Sequence, residues 1–227
     1  MLAEIVVDDA VWALRPDFAV LAITVRGLAG GPSGDATREL LADAAKNAAD
    51  PSEHPHVEAW RDAYRAFGAK PKRTRPSVDA LLRRAAAGLP EINRVVDAYN
   101  AVSVRHVLPI GGEDLAGYEG PARLVRATGE EPFATIAEGE PSVEYPQPGE
   151  VVWRDDAGVT CRRWNWRQCA RTRITEGTRD ALFILERLAP MTLDDLRAAG
   201  SELVALVTAD APAAETASRL IAAPAAG

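Results

Sequence analysis

The chain has 227 residues, of which 47% are hydrophobic and 26% are charged, and its formal net charge is -7. These values are ordinary for a soluble globular protein with one substantial core. They exclude a membrane-spanning protein, because no apolar run approaches the ~20 residues that a bilayer requires. The acidic opening, MLAEIVVDDA, is not that of an export signal, so we expect a cytoplasmic protein.

The supply of metal-ligating side chains is small. The two cysteines, Cys161 and Cys169, lack the C-x-x-C spacing of a zinc or redox site, and the three histidines form no H-E-x-x-H motif. Two cysteines do not make a disulfide scaffold either, which favours a reducing compartment. We therefore expect no metal and no cofactor.

The first half of the chain predicts a strand followed by four helices. Residues 17–28 are rich in β-branched side chains and end near Gly30 and Gly31, which is typical of a strand and its turn. Helices are predicted from Asp35, over residues 56–67, from an N-cap at Ser77 to Gly88, and over residues 91–107. Two prolines in KPKRTRP keep the segment before Ser77 as a loop.

From residue 122 the pattern changes to the period of two that indicates strands. Segments 122–128, 132–136, 151–164 and 181–186 fit this period, with a hairpin turn at 155–158. A helix is predicted after Thr192, and a short helix with a tail at the C-terminus. The expected fold is α+β, a mixed, mainly antiparallel sheet with a helical middle block and terminal helices. We expect one domain over residues 1–208, followed by a C-terminal helix and tail over 209–227.

Basic residues gather in two places in this acidic chain, at 61–84 and at 162–173. The first contains a loop whose Lys70, Lys72, Arg73 and Arg75 would suit a run of phosphates. Local basic patches on an acidic protein are typical of a polyanion binder with a defined footprint. The alternative is that these long side chains only solvate exposed faces.

The stretch VTCRRWNWRQCART, residues 159–172, combines arginines with two tryptophans and holds no acid. As a strand it would place Cys161, Arg163, Asn165 and Arg167 on one face, with the tryptophans and Gln168 on the other. A purely structural strand would rarely bury so many polar groups, and a solvated strand would rarely carry two indoles. A pocket floor or a nucleic-acid contact explains both, because indoles and guanidiniums stack on bases.

The two cysteines admit two interpretations. Arginine neighbours would lower the pKa of Cys161 or Cys169 and make the thiol a nucleophile. No paired histidine is identifiable, however, and a cysteine hydrolase without a base is unusual. The other interpretation is that both are small core residues.

Residues 98–115, AYNAVSVRHVLPIGGEDL, form a second candidate site. Asn100 is a poor helix former in the middle of a predicted helix, which favours a tertiary role. Gly111 and Gly112 after that helix would let a ligand approach the main chain closely. The alternative is that Asn100 bonds a neighbouring loop and the glycines only form a turn.

Three segments, in this order and spacing, resemble the B3/B4 domain, the editing module of the phenylalanyl-tRNA synthetase beta chain, which also occurs as a freestanding protein. They are YRAFGAKPKRTRPSVDALLRR, LPEINRVVDAYNAVSVRHVLPIGGEDL and CRRWNWRQCARTRITEGTRDALFILE. The resemblance covers roughly residues 10–190 and is closer to the freestanding proteins. It implies an aminoacyl-tRNA deacylase that hydrolyses the ester of a wrong amino acid by positioning water and the terminal ribose hydroxyl, without a metal or a covalent intermediate.

Carried over residue by residue, the match to the family's editing pocket is incomplete. Asn100 falls on the pocket asparagine, and Tyr99 stands where the synthetase module has threonine. Gly111 occupies the position of the pocket histidine. The pocket glutamate, which reads a tyrosine hydroxyl in the synthetase, falls near Gln168 or Cys169. The loss of that acid argues against tyrosine as the rejected amino acid.

We therefore expect a trans-acting editing deacylase whose partner is aminoacyl-tRNA. Two other functions are weighed beside it, a non-catalytic module that binds tRNA or a free amino acid, and a thiol hydrolase of small esters. The expected site has three groups of residues: catalytic Asn100, Asn165 and Gln168; substrate-binding Tyr99, Gly111, Gly112, Arg167 and Cys169; and tRNA-binding Lys70, Lys72, Arg73 and Arg75.

Overall fold

The computed structural model describes residues 1–223, and its mixture of helices with mainly antiparallel sheets confirms the α+β class. Short 3-10 turns cover Leu2–Glu4 and Leu115–Gly117. The helices are α1 (Asp9–Trp12), α2 (Asp35–Lys46), α3 (Pro55–Ala66), α4 (Ser77–Ala85), α5 (Arg94–His106) and α6 (Leu193–Thr208).

The strands of residues 1–223 form three sheets. They are β1 (Val6–Val7), β2 (Ala19–Arg26), β3 (Ile110–Asp114), β4 (Arg123–Arg126), β5 (Phe133–Ala137), β6 (Glu140–Glu144), β7 (Val151–Arg154), β8 (Val159–Arg162), β9 (Arg167–Gln168), β10 (Asp180–Arg187) and β11 (Glu215–Ala222). The orders are β1-β4-β7-β8-β9, β11-β2-β10-β3 and β5-β6. Strands β1 and β4 run parallel, and the other pairs are antiparallel.

Strands β2 and β10 of the four-stranded sheet are buried on both faces, which explains the almost unbroken apolar sequence of β2. Successive side chains of a strand point to opposite faces. Val20 and Ala22 accordingly pack in a core with Trp60 of α3, whereas Leu21 and Ile23 pack in a second core against α5 and α6. Both cores meet at β2 and β10, so these two strands hold the helical and strand-rich parts of the chain together.

Helix α3 carries the aromatic part of the first core. Its Val57, Trp60 and Tyr64 are fully buried, as their helical spacing predicts. The Trp60 ring meets Trp164 edge-on at 5.4 Å and Phe18 at 6.3 Å between centroids. Such edge-to-face pairs add about 0.5–1.5 kcal/mol each beyond the burial of their area. This cluster fixes the position of α3 against the β8–β9 segment.

Most predicted elements of residues 17–208 are confirmed. The strand β2, the helix starting at Asp35, the loop before α4 and the hairpin turn between β7 and β8 lie where the pattern places them. Helix α6 has the predicted cap, because the Thr192 hydroxyl accepts from Asp195 N and the Asp195 carboxylate accepts from Thr192 N.

Four predictions need correction. Helix α4 is capped by Pro76, with Ser77 as its first residue. Helix α5 ends at His106, before a left-handed Val107 at φ 54°, and the two glycines beyond it lie in β3 instead of forming a turn. Strand β8 stops at Arg162, so the predicted alternation of faces beyond it is wrong.

The predicted C-terminal helix is also wrong. Residues 215–222 form β11, which pairs with β2 along its whole length. Their alanines favour helix, but β2 offers an open edge of unpaired backbone groups, and satisfying that edge outweighs a weak local propensity. The predicted tail from residue 224 lies outside the described residues.

Candidate functional site

A cavity of about 410 Å³ opens between α4, α5, β3 and the segment that joins β8 to β9, with β10 behind them. This volume lies in the range of small-molecule sites, ~300–1,000 Å³. The walls combine aromatic rings with amide and guanidinium groups. All three sequence segments singled out above, residues 61–84, 98–115 and 159–172, therefore line the same space.

The segment between β8 and β9 is a strained turn. Arg163 and Trp164 both have left-handed backbones, at φ 48° and 68°, which costs non-glycine residues about 1–2 kcal/mol each. The buried indole of Trp164 offsets this cost, since its ring packs 5.1 Å from Phe18 and 5.4 Å from Trp60 between centroids. The turn brings Asn165 and Trp166 to the wall of the cavity.

Asn100 reaches the cavity from the middle of α5. It is 9% exposed, and its side-chain amide has no hydrogen-bond partner among residues 1–223. Because Asn100 lines the cavity, its amide can be solvated there instead of being buried without a partner. The Asn100 amide is therefore available to a ligand or to water in the cavity.

Gln168 stands beside the two glycines of β3. Its Nε2 donates to the Gly112 carbonyl at 2.8 Å, which leaves its Oε1 without a bond in the described part of the chain. A Cβ on Gly111 would lie 3.3 Å from this Nε2. Because residue 111 is glycine, the Gln168 amide occupies space that a larger side chain at position 111 would fill.

Asn165 is fully engaged by the protein. Its Oδ1 accepts from the Tyr64 hydroxyl at 2.9 Å and from Ser77 N at 3.3 Å, and its Nδ2 donates to Glu186 Oε2 at 2.9 Å. Trp153 Nε1 donates to the other Glu186 oxygen at 2.8 Å. Asn165 therefore positions Glu186, and its own amide has little left for a substrate.

Glu186 is an acid on the cavity wall that the sequence pattern did not reveal. It lies in β10, is 2% exposed, and burial raises its pKa to about 8. A protonated Glu186 holds an O–H that neither neighbour can accept, because both present N–H donors to it. A ligand or water in the cavity can accept this proton. The one sequence signal for Glu186 was its position in the segment ALFILE, where every other residue is apolar.

The structure does not favour the interpretation of either cysteine as a nucleophile. Cys161 lines the cavity, but burial and the neighbouring Glu113 and Glu186 raise its pKa well above the ordinary value, so it stays a thiol. Cys169 is buried in a separate cluster with Phe133 and does not line the cavity. Cys161 therefore takes the place assigned to Cys169, without the thiolate that a nucleophile needs.

The mouth of the cavity is basic. Arg73, Arg75 and Arg84 line it, and of these only Arg75 comes near an acid within residues 1–223, at 3.9 Å from Asp79. Trp166 lies in the same rim, with the guanidinium carbons of Arg163 and Arg167 at 4.5 and 4.8 Å from its ring. These distances are typical of cation–π contacts. The rim offers uncompensated positive charge beside an aromatic surface.

The expected site residues divide into four groups by location. Eight of them line the cavity: Tyr99, Asn100, Gly111, Asn165, Arg167, Gln168, Arg73 and Arg75. Gly112 reaches the site through its carbonyl bond to Gln168. Lys70 and Lys72 lie on the loop outside the cavity, and Cys169 is buried elsewhere. Glu186, Cys161, Arg84 and Trp166 belong to the cavity and were not predicted as site residues.

Arg167 is less free than its sequence context predicts. Its Nη2 bonds Glu144 of β6 at 2.5 Å, and its guanidinium carbon lies 5.1 Å from the centre of the Phe133 ring. Arg162 is buried and bonds both oxygens of Glu150, at 2.7 and 2.9 Å. The arginines of the β8–β9 segment are thus mainly held by acids that are distant in sequence.

Gly112 must be glycine for packing reasons, and this gives a first prediction. A Cβ there would lie 2.7 Å from Tyr99 Cε1 and 2.8 Å from Ile174 Cδ1, both in the second core. We expect Gly112→Ala to lower the free energy of unfolding by about 1–3 kcal/mol, the usual cost of overpacking. Urea unfolding measures this. Gly177→Ala is the control, since its Cβ would meet only Thr175 at 3.7 Å, and equal stability of the two variants would contradict the packing argument.

Among residues 1–223, no cluster of three or more His, Cys, Asp or Glu side chains is arranged to hold a metal ion. None of the helices in the same range has the length and apolar character needed to cross a membrane.

Comparisons with known proteins give a family match and a structural likeness. The sequence model of the B3/4 domain matches residues 59–200. No curated protein matches the chain. Among solved structures, the crystal structure of an N-terminal fragment of the phenylalanyl-tRNA synthetase beta-subunit from Pyrococcus horikoshii is similar, at 14% identity and a TM-score of 0.47. The match covers 93% of this chain but only 49% of that one, so this chain spans about half its length.

Proposed function

This chain belongs to the B3/4 domain family, and from that premise we propose that it is a cytoplasmic, trans-acting editing deacylase that hydrolyses the ester of a misacylated aminoacyl-tRNA. The observation that carries the proposal is the cavity, which joins a basic rim to the free Asn100 amide and the free Oε1 of Gln168 inside. Such a rim suits the phosphates of an RNA 3′ end. The amides suit an ester and the water that attacks it.

The rim would hold the terminal nucleotide. Arg73, Arg75 and Arg84 supply the charge that attracts its phosphate, and Arg can bind phosphate through two parallel hydrogen bonds. Trp166 and the stacked Arg167 supply a flat surface on which an adenine can lie. A nucleotide held in this way places its aminoacylated ribose at the mouth of the cavity.

The interior would act on the ester. Water attacks the carbonyl carbon, the bond from that carbon to the ribose oxygen breaks, and the ribose oxygen takes the proton that water loses. The Asn100 amide and the Glu186 O–H are the donors available for the carbonyl oxygen as it gains negative charge. The free Oε1 of Gln168 is an acceptor that can orient the water. Asn165 acts through Glu186, which it positions.

This arrangement works by orientation and charge stabilisation. An ester is already activated, so holding water and carbonyl in line can supply a large part of the acceleration. Cys161 is a thiol in this site and is given no role as a nucleophile. The presence of an acid in the cavity also removes the argument against tyrosine, because Glu186 can bond a hydroxyl as well as a carbonyl.

One observation favours a different function, a module that binds tRNA or an amino acid without hydrolysing it. Glu186 is protonated near neutral pH, and no lining residue of the described cavity is a histidine that could serve as a base. A site of this kind could hold an aminoacyl ester without accelerating its hydrolysis. Release of free amino acid distinguishes the two functions.

The test is a deacylation screen. Purified protein is mixed with correctly and incorrectly charged tRNAs, including species that carry analogues of phenylalanine, isoleucine and arginine, and loss of the ester is followed. We expect selective hydrolysis of at least one mischarged species at a rate well above that without protein. Binding across the panel without release of amino acid would support the non-catalytic module, and neither binding nor release would contradict both functions.

A further inference from the structure

A second groove lies next to the cavity, on the outer side of the loop that joins α3 to α4. Its volume is about 620 Å³, and seven basic and two acidic side chains line it. We call it the basic groove. Arg73 and Arg75 line both this groove and the cavity, so the two spaces share one wall. In a chain of net charge -7, this is a strong local reversal of sign.

The walls of the basic groove are fixed by ion pairs. Arg61 of α3 bonds both oxygens of Asp79 in α4, at 2.9 and 3.2 Å, and Arg83 bonds the same carboxylate at 2.9 Å. The second acid, Glu58, bonds Arg61 at 3.0 Å and Arg65 at 2.9 Å. Both acids of the groove are therefore already committed, and the surplus charge around them is positive.

That surplus is concentrated on the loop itself. Lys70, Lys72 and Arg73 are exposed, and none of them pairs with an acid in the part of the chain that the structure describes. Unpaired cations on a rigid base attract a polyanion without first breaking internal ion pairs. The loop is thus the place where an RNA backbone gains the most from binding.

The β5–β6 hairpin and the residues around it carry the opposite charge. Residues 127–150, which contain the β5–β6 hairpin, hold six acids and no base. Glu144 of this hairpin bonds Arg162 at 3.0 Å and Arg167 at 2.5 Å, so it also neutralises the cavity wall on that side. The charge around the cavity is therefore uneven. The loop is basic and the hairpin that bonds Arg167 is acidic, while Glu150, after the hairpin, lines a small cavity with Lys70 and Arg73.

We propose that the basic groove binds the phosphates that precede the reacting nucleotide, so that RNA leaves the cavity across Arg73 and Arg75 and stays clear of the β5–β6 hairpin. The proposal rests on the function proposed above, because it assumes a terminal nucleotide in the cavity. It adds a second binding site, distinct from the cavity, whose ligand is the sugar-phosphate chain. The groove reads no base, since the residues invoked are cations that contact phosphate.

Binding measurements with two probes test this directly. The probes are a deacylated tRNA and a stable nucleoside, 3′-amino-3′-deoxyadenosine that carries an amino acid through an amide. The variant Lys70→Glu/Lys72→Glu is compared with Lys46→Glu, which changes the one other lysine of the sequence, an exposed residue at the end of α2. A thermal melt of each variant verifies folding.

We expect the double variant to bind tRNA about tenfold or more weakly at low salt, and to lower the slope of log affinity against log salt by about 2, one for each lost phosphate contact. Its affinity for the nucleoside should equal that of the parent, because neither lysine lines the cavity. Lys46→Glu should leave both affinities and the slope close to the parent values.

Two outcomes would overturn the proposal: unchanged tRNA affinity and slope in the double variant, or equal weakening of tRNA and nucleoside. The second would place the effect in the cavity itself. Neither binding measurement requires hydrolysis. Failure of the deacylation screen and failure of the proposal for the basic groove are therefore distinguishable. Glu138→Gln/Glu140→Gln on the hairpin should change tRNA affinity far less than the lysine variant, and an equal change would contradict the proposed path.

Discussion

Asn100→Ala is expected to lower the single-turnover rate of deacylation by about 10²–10³-fold, the usual effect of removing one donor to a developing oxyanion. The protein should stay as stable as the parent. The Asn100 side chain makes no hydrogen bond within residues 1–223, and alanine is the better helix former by about 0.5 kcal/mol. Rapid-mixing measurements of ester loss, together with urea unfolding of the same samples, give both quantities.

The control for this variant is another asparagine of the same helix. Asn93 caps α5, with its Oδ1 accepting from Val96 N at 3.0 Å, and it does not line the cavity. Asn93→Ala should lose about 1 kcal/mol of stability as a cap is removed, and should keep its rate. An Asn100→Ala protein that is destabilised but as fast as the parent would show that this amide has a structural role only.

The second large effect is an unusual dependence of stability on pH. Burial raises the pKa of both Glu113 and Glu186 from 4.5 to about 8. Below about pH 4.5 these groups are protonated in the folded and unfolded states, so they contribute no slope. Between about pH 5 and 8 the folded protein keeps protons that the unfolded chain has lost. The free energy of unfolding therefore falls as pH rises, by up to about 1.4 kcal/mol per pH unit for each group.

Glutamine variants separate this effect from the other ionisable groups. Glu186→Gln and Glu113→Gln should each flatten the decline in stability between pH 5 and 8, since glutamine holds no titrating proton. Urea unfolding at several pH values measures the difference from the parent. If the parent and both variants keep the same slope, the two carboxyls do not retain their protons in the folded state.

The two carboxyls should differ in their effect on the reaction. Glu186 lines the cavity and Glu113 does not. Corrected for uncatalysed hydrolysis, kcat/KM of the parent should fall above about pH 8 as Glu186 loses the proton that it directs at the ester. The groups that face Glu186 from neighbouring elements are Tyr64, Cys161 and Glu113, and all three stay neutral near pH 7. The kcat/KM of Glu113→Gln should still fall above about pH 8, whereas that of Glu186→Gln should not.

The architecture could be predicted from the sequence wherever one period dominates a segment. The apolar spacing of Val57, Trp60 and Tyr64 located α3, and the turn residues at 155–158 located the β7–β8 hairpin. The C-terminal segment could not be predicted in this way, because the strand conformation of 215–222 depends on the free edge of β2 almost 190 residues earlier. Local propensity carries no information about such a partner.

The site residues that could be predicted are those with a local sequence signal. Asn100 was identified because asparagine is costly inside a helix, and that cost is local. Glu186 was missed because its environment is set by Asn165, Trp153 and the cavity, all remote in sequence. The alternating faces predicted for residues 159–168 failed for a third reason, since two left-handed residues turn the chain at Arg163 and Trp164. Aromatic packing maintains that conformation, and no residue in the turn is a glycine that would announce it.

The order of strands in the four-stranded sheet also determines when its parts can pair during translation. Strand β2 ends at residue 26, but the two strands that flank it begin at residues 180 and 215. At ~5–20 residues per second, a ribosome exposes β2 for roughly 8–30 s before its first partner is synthesised. Seven of the eight residues of β2 are buried in the finished protein. An apolar, unpaired segment therefore stays exposed through most of translation. The cavity, which needs β10 for its rear wall, therefore closes only near the end of synthesis.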